Sequence, residues 1–571
     1  MQTLPEILGA IVLEAAHSLV PGLEVRGPVV QATADAAHGD YQTNLAFRLT
    51  KALRLPPTAC AEALAQALPD HPAVRSVEVA GKGFLNLRLH DAWLADALLA
   101  LTGGDELDLP SPGQGRTVVV DYGSPNVAKR MHVGHLRSTN IGDALVKMWR
   151  ALGYTVLGDN HIGDWGTQFG KLIVAWDRWR DEAAFEADAI GELERIYVKF
   201  AQETGPELED LARENTARLQ AGDPELTALW ERFVRASLEE FDAVYERMGV
   251  RFDLTLGESF FQPMLAPIVA ELLDRGIAEV DDGAVVVRFD KADGKGLGDA
   301  PMLIRKRDGA ALYATTDLAA LRYREQQWDP DHVVYVTDMR QQLHFRQVFA
   351  GARKAALTDA ELEHVWFGML SLPEGAMATR KGNVIRLGKL LDEAATRSRA
   401  VVDTKSPELP EAERAAIAEA VGVSAVRYAD LSQNPQSNVT FDWDRMLALE
   451  GNTAPFLMYS YARCCSVQRK AGLVQREVSG LHLGEPAERE LALALLRYPE
   501  ALITALAARR PNMLCEALFG LAGSFNRFWY QVPVLRAEAD QRAARLALVE
   551  ATARVLGHGM RLVGIHTLER M

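Results

Sequence analysis

TVVVDYGSPNVAKRMHVGHLRSTNIGDALVKMWRALG (117–153) decides the fold. It opens on an apolar, β-branched run that closes on Gly123, the pattern of a buried strand. From Met131 to Gly153 the apolar residues recur at helical spacing and the stretch ends on glycine. The next segment, YTVLGDNHIGD (154–164), reads as a second strand and its loop. Strand, helix and strand within about fifty residues make a βαβ unit, which predicts a parallel sheet. A helix that starts at the carboxyl end of such a strand aims unpaired N–H groups at an anion. The turn His132-Val133-Gly134-His135 therefore has the form of a nucleotide site. Gly134 carries no side chain, so a base can approach its backbone closely. His132 and His135 lie three apart, share one face, and can donate to phosphate oxygens as charge builds in a transition state.

Working outward, the predicted class is α/β: a Rossmann-type parallel-sheet core with insertions, an N-terminal α+β domain and an all-helical C-terminal domain. Residues 1–110 form the first domain, with two helical stretches around a polar turn, HGDYQTN (38–44), and then a strand-like run, SVEVAGKGFLNLRL (76–89). DLPSPGQGR (108–116) is a turn-rich linker. The core spans 117–390. It is interrupted by an insertion over about 171–300, charged and helical up to about 245, as the amphipathic pattern indicates. Strand-like pieces return at AVVVRF (284–289), MLIRKR (302–307) and HVVYVT (332–337). Residues 391–450 read as a helical linking subdomain and 451–571 as a helical terminal domain.

Composition narrows the class. The 571 residues are 48% hydrophobic and 24% charged, enough apolar content for several cores. No run is apolar for the length of a bilayer. The opening MQTLPEILGAIVLEAAHSLV has no basic leader and spaces its apolar residues helically, so we read an amphipathic helix and a cytoplasmic protein. The four cysteines, Cys60, Cys464, Cys465 and Cys515, form no C-x-x-C pair, which argues against structural zinc or a disulfide framework. A net charge of -15 argues against wholesale nucleic-acid binding while leaving room for a local basic RNA track. KADGKGLGDA (291–300) lacks phosphate-loop spacing, and His161 with Asp164 lacks a third metal ligand.

A second motif, GAMATRKGNVIRL (375–387), is a basic loop able to close over a triphosphate and neutralise the departing pyrophosphate through Arg380 and Lys381. Together the two motifs resemble the paired signatures of class I aminoacyl-tRNA synthetases. The first matches H-I-G-H. The second aligns with K-M-S-K-S-K-G-N over Ala376–Asn383, with Ala376 and Thr379 where the signature has lysines. That departure is itself typical of arginyl-tRNA synthetases, in which a lysine before the histidine signature is thought to compensate; Lys129 holds that place here. GDNHIGDWGTQFGKL (158–172), FDLTLGES (252–259), LYATTDLAALRYR (312–324), TDMRQQLHFRQVF (337–349) and LEGNTAPFLMYSYAR (449–463) resemble the same family, so the likeness runs nearly end to end.

The resemblance implies arginine activation by ATP and transfer to tRNA(Arg), with activation dependent on bound tRNA. It implies ATP as substrate, Mg²⁺ with ATP, no permanently bound metal, no membrane or DNA partner, and a monomer. It places Lys129, His132, His135, Arg380 and Lys381 in the chemistry, and His132, Gly134, His135 and His344 at ATP. Around arginine it places Asp121, Asn126, Tyr313, Asp317 and Gln341. A guanidinium is planar and permanently charged, and carboxylates suit it best. Tyr313 and Asp317, four apart, are assigned to that end, and Asn126 and Gln341 to the α-amino and carboxylate groups. For RNA it points to Phe84 and Asn86 at the D-loop and to Tyr459 and Arg463 in the anticodon domain, with Arg469, Lys470, Arg527, Trp529 and Tyr530 as further candidates. Three alternatives stay open on the residues alone: a class I synthetase for another amino acid, a synthetase-like tRNA-binding or regulatory paralogue without activity, and a small-molecule nucleotidylyltransferase, which shares the histidine signature but would not need the long helical C-terminal region.

Overall fold

The strand Thr117–Asp121 pairs in parallel with Thr155–Asp159 on one side and with His332–Asp338 on the other. Glu361–Phe367 extends the sheet beyond His332–Asp338, also in parallel. Val118, Val119 and Val120 are buried, as residues of a strand covered on both faces must be. The helix Val133–Ala151 returns over this sheet. Gly142 sits where a side chain would meet the Tyr122 ring at 2.3 Å, so the helix passes close over that ring. The computed structural model describes residues 2–203, 205–371, 385–472 and 481–571.

The insertion contains the helices Thr167–Trp179, Glu182–Ala187, Ala189–Glu203, Pro206–Gln220, Pro224–Met248 and Glu258–Asp274. Two of the three strand-like pieces expected to return do not join the parallel sheet. Ala284–Val287 and Met302–Arg305 pair antiparallel with each other, and Ala278–Asp281 completes a separate three-stranded sheet. The turn Asp282-Gly283, with φ of 48° and 81°, folds Ala278–Asp281 back onto Ala284–Val287. Two successive positive φ values suit a tight hairpin, and a hairpin yields an antiparallel pair.

Behind the core, Arg137 on the helix Val133–Ala151 reaches Asp430 on the helix Glu411–Leu431 at 2.8 Å, both fully buried. Arg427 of that second helix reaches Asp143 at 2.5 Å. These two buried pairs cross in opposite directions and fix the two helices in register. Residues 113–447 with 563–565 thus form one compact unit.

Residues 1–112, 448–562 and 566–571 form the other. Its antiparallel sheet runs in the order Gln31–Ala32, Tyr41–Thr43, Phe84–Leu89, Val74–Ala80. The polar stretch expected to be only a turn (38–44) thus contributes a strand. The run 76–89 is a hairpin, bent at Gly81 and Gly83, both with positive φ. Helices from Ala454 to Leu562 pack in the same unit. Arg489 clasps Asp40 with two bonds of 2.9 and 2.7 Å and reaches Asp91 at 2.5 Å. Tyr41 donates to Glu500 at 2.9 Å. Burial raises the Asp40 carboxyl, but the Arg489 guanidinium outweighs it and holds the group below its ordinary range. The segments 1–110 and 451–571 thus fall almost wholly within one compact unit. Among the described residues no helix is long and apolar enough to cross a membrane.

Candidate active site

The turn between Asp121 and Val133 is where the parallel sheet delivers its chemistry. Its backbone is held from outside. Gly123 N–H donates to Ser138 Oγ at 2.9 Å, Ser124 N–H to Asn160 Oδ1 at 3.0 Å, and Ala128 N–H to Ser237 Oγ at 2.9 Å. Ser124 and Ala128 have φ of 51° and 61°, unfavourable for side-chain-bearing residues. Those bonds hold them there.

His132 caps the helix. Gly134 N–H donates to His132 Nδ1 at 3.0 Å, and His132 N–H donates to His135 Nδ1 at 3.1 Å. The two rings lie 4.0 Å apart. A ring whose Nδ1 accepts a backbone N–H carries its own proton on Nε2 when neutral. Both rings are held neutral. Burial, then the charge of Lys129, lowers His132; burial, then His132, lowers His135 to about 3. The turn therefore offers two Nε2–H donors without net charge. Gly134 is required for a reason beyond base approach: a Cβ there would stand 2.7 Å from the His132 ring.

The described chain resumes beside this turn. Val133 N–H donates to Ile385 O at 3.0 Å and Leu387 N–H to Met131 O at 2.9 Å. The exit of the second motif is therefore paired to the histidine turn. Arg380 and Lys381 themselves lie outside the described residues, as do Ala376 and Thr379.

The expected arginine residues fall into different surroundings. Tyr313 opens the helix Tyr313–Trp328 and is 71% exposed. Asp317, one turn on, bonds His344 Nε2 at 2.6 Å. His344, expected at ATP, is thus joined to the carboxylate expected at the guanidinium. Burial pulls the His344 ring down, yet the Asp317 bond and charge prevail and its pKa is raised. Asn126 is exposed and lies against Gly163, where a Cβ would meet its Oδ1 at 2.2 Å. Gln341 is exposed on the short 3₁₀ turn Met339–Gln341. Asp121, which the resemblance places around arginine, is enclosed. It is 5% exposed and accepts from Arg324 Nη2 at 2.7 Å. The same Nη2 reaches Asp159 at 2.7 Å, and Arg324 Nη1 donates to Tyr335 at 3.0 Å. A guanidinium of the chain itself already occupies one Asp121 oxygen.

Glu258 is a residue the motifs did not single out. It starts the helix Glu258–Asp274. Burial, with Asp164 and Asp317 nearby and only partly offset by His161, raises its carboxyl to about 7. Burial and the Glu258 charge in turn raise Tyr313. Glu258, Asp317 and Tyr313 thus share one acidic neighbourhood, in which His344 is bonded to Asp317 and His161 acts on Glu258. Its only sequence sign was its place in FDLTLGES.

In the other unit, Phe84 is half-exposed and packs edge-on to Phe47 at 5.4 Å. Asn86, expected to read a base, is 7% exposed within the sheet. Arg463 stands between Tyr459 and Tyr530, 4.8 and 5.3 Å from the ring centres. Both tyrosines are exposed. Arg527 pairs with Glu490, Arg469 donates to Glu569 O at 3.0 Å, Lys470 is exposed, and Trp529 is half-buried.

Comparison with known proteins matches this arrangement to three family models in chain order. Residues 6–89 match the arginyl tRNA synthetase N terminal domain, 100–443 the catalytic domain of tRNA synthetases class I (R), and 457–571 the DALR anticodon binding domain. The chain belongs to the arginyl-tRNA synthetase family. The arginine–tRNA ligase of Fusobacterium nucleatum is 42% identical over 97% of both chains, and that of Chloroflexus aurantiacus 46% over 93% of both. Among solved structures, the arginyl-tRNA synthetase of Thermus thermophilus superposes with a TM-score of 0.84 at 28% identity, and that of Plasmodium falciparum with 0.84 at 26%. Each of these two covers the whole of both chains. As an arginyl-tRNA synthetase family member, the chain has the class I α/β core that the strand–helix–strand pattern predicts, and the histidine turn stands at its centre.

Proposed function

We infer that this enzyme is an arginine–tRNA ligase. It uses ATP to activate L-arginine and transfers the arginyl group to the 3′ end of tRNA(Arg), releasing AMP and pyrophosphate. The observation that carries this reading is the carboxylate pair Glu258 and Asp317 beside Tyr313, a cation-seeking site in a core whose histidine turn suits ATP.

The arginine carboxylate attacks the α-phosphorus and pyrophosphate leaves; a terminal ribose hydroxyl of the tRNA then attacks the adenylate. No covalent enzyme intermediate is needed. The protein positions the reactants and stabilises charge. His132 and His135 donate from Nε2 to phosphate oxygens. Lys129, with Arg380 and Lys381, supplies positive charge at the phosphates. Asp317, Tyr313 and Glu258 take the guanidinium, and Asn126 and Gln341 the α-amino and carboxylate groups. Asp121 acts through Arg324, which fixes the strand ends beneath the substrate. Among the described residues no group of three or more His, Cys, Asp or Glu converges on a metal position. In this reading Mg²⁺ arrives with ATP, on phosphate and water oxygens. A cavity of about 620 Å³ that includes Trp165, Gln262, Arg305, Lys306 and Ala311 supports reception of a polyanionic RNA end. Phe84, Asn86, Tyr459 and Arg463 are assigned to tRNA. The enzyme is cytoplasmic, monomeric and has no DNA partner in this reading.

The deciding experiment charges total tRNA with each labelled amino acid in turn. Arginine alone is expected to be incorporated; charging with another amino acid, or none, would overturn the reading. We also expect arginine-dependent pyrophosphate exchange to need tRNA. Exchange at full rate without it would remove the tRNA-dependence.

The Glu258 carboxyl sets a pH dependence. Below about pH 7 it is protonated in the empty site and must release a proton to face a guanidinium. KM for arginine should therefore rise as pH falls below 7, by up to about tenfold per unit, and flatten above it. Glu258→Gln should abolish the slope. A pH-independent KM in the parent enzyme would exclude Glu258 from the pocket.

A further inference from the structure

We propose that Glu194 is a positioning residue that ties the segment carrying Lys129 to the exit of the second motif. The two oxygens of its carboxylate serve different parts of the chain. Oε1 accepts from Arg130 N–H at 3.0 Å, and Oε2 accepts from Arg386 Nη2 at 2.9 Å. The same two segments meet again through the backbone bonds at Val133 and Leu387. The backbone pairing fixes their spacing at the histidine turn. Glu194 fixes it again earlier, next to Lys129.

The helix Ala189–Glu203 makes a second contact from the same face. Tyr197, three residues after Glu194, places its ring 5.5 Å from Lys129 Nζ. The Arg130 side chain is anchored by Asp188 and by Glu240 at 2.8 Å. Ser237 accepts from Ala128 N–H. The inserted helices thus grip residues 128–130 from several sides, and Glu194 alone of these contacts also reaches Arg386. The Glu194–Arg386 pair is partly exposed, with side-chain accessibilities of 27% and 45%. Such a pair adds little to stability. Its worth lies in where it holds a charge during the reaction. A small displacement of a catalytic group costs rate far more than it costs folding.

The inference rests on the assignment of Lys129 to the phosphates. The test measures tRNA-dependent pyrophosphate exchange and thermal melting for Glu194→Ala, Glu194→Gln, Arg386→Ala, the Glu194→Ala/Arg386→Ala double variant and Lys129→Met. Glu194→Ala and Arg386→Ala should each lower kcat about tenfold with KM for arginine unchanged; Arg386→Ala should keep the parent melting temperature, while Glu194→Ala, which also strips an acceptor from Arg130 N–H, should lower it modestly. Glu194→Gln keeps an acceptor for Arg130 N–H and should fall between. The double variant should be no worse than the poorer single variant, since both remove one shared link. Wild-type kcat in Glu194→Ala or Arg386→Ala, or losses that multiply in the double variant, would overturn the inference. Should Glu194→Ala fail to fold, Glu194→Gln and Arg386→Ala decide it on the same readout. A Lys129→Met variant without activity beside a fully active Glu194→Ala sinks the link alone. A fully active Lys129→Met removes the Lys129 assignment and the link with it.

Discussion

Asp317→Asn is expected to lower kcat/KM for arginine by about two to three orders of magnitude and to leave KM for ATP nearly unchanged. The substrate guanidinium keeps its charge at every accessible pH, so the missing negative charge cannot be offset by proton transfer. Asn preserves the shape of the side chain and can still accept one hydrogen bond. The loss therefore reads charge, not packing. His344 sharpens the effect, because its 2.6 Å bond to Asp317 loses the carboxylate that raises its pKa. Steady-state kinetics with each substrate varied separately provide the check. Equal losses for arginine and ATP would disprove the placement of Asp317 at the guanidinium.

His135→Ala is expected to lower kcat by about 10²–10³, the usual cost of removing one donor to a developing oxyanion. Its ring presents an uncharged N–H, since burial and His132 hold its pKa at about 3. The rate loss should thus be flat between pH 6 and pH 9, where the ring does not titrate. The substitution also strips an acceptor from His132 N–H, at a cost of about 1–3 kcal/mol. A folded but slow enzyme is the expected result, seen as a modest drop in melting temperature beside a large drop in single-turnover rate. An unchanged rate would take His135 out of the chemistry.

The sheet and the histidine turn were legible because their signals are local. Three consecutive valines ending in Asp121, then helical spacing from Met131, leave few other folds for 117–153. The strand Glu361–Phe367 escaped notice because an edge position lets it carry Glu361, Glu363 and His364 among its apolar residues. AVVVRF and MLIRKR carried a strand signal but no partner. The Asp282-Gly283 turn, with two positive φ values, pairs AVVVRF with Ala278–Asp281, and Met302–Arg305 then adds antiparallel on its other side. The proposed arginine site was legible in part. Tyr313 and Asp317 stand one helical turn apart, a relation sequence can express. Arg324 meets Asp121 across 203 residues and Asp159 across 165, and no spacing rule reaches so far. Glu258 was hidden for the same reason: its character comes from burial beside Asp164, His161 and Asp317, all remote in sequence.

The clasp of Arg489 on Asp40 has a consequence for biosynthesis. Residues 1–112 leave the ribosome well before residues 448–562, with which they share a body. At about 5–20 residues per second the delay is roughly 20–70 s. During that interval Asp40 has no guanidinium and Tyr41 no Glu500, so the face that will receive them stands open to water and to passing chains. A stop codon placed before Arg489 would leave that face unsealed permanently.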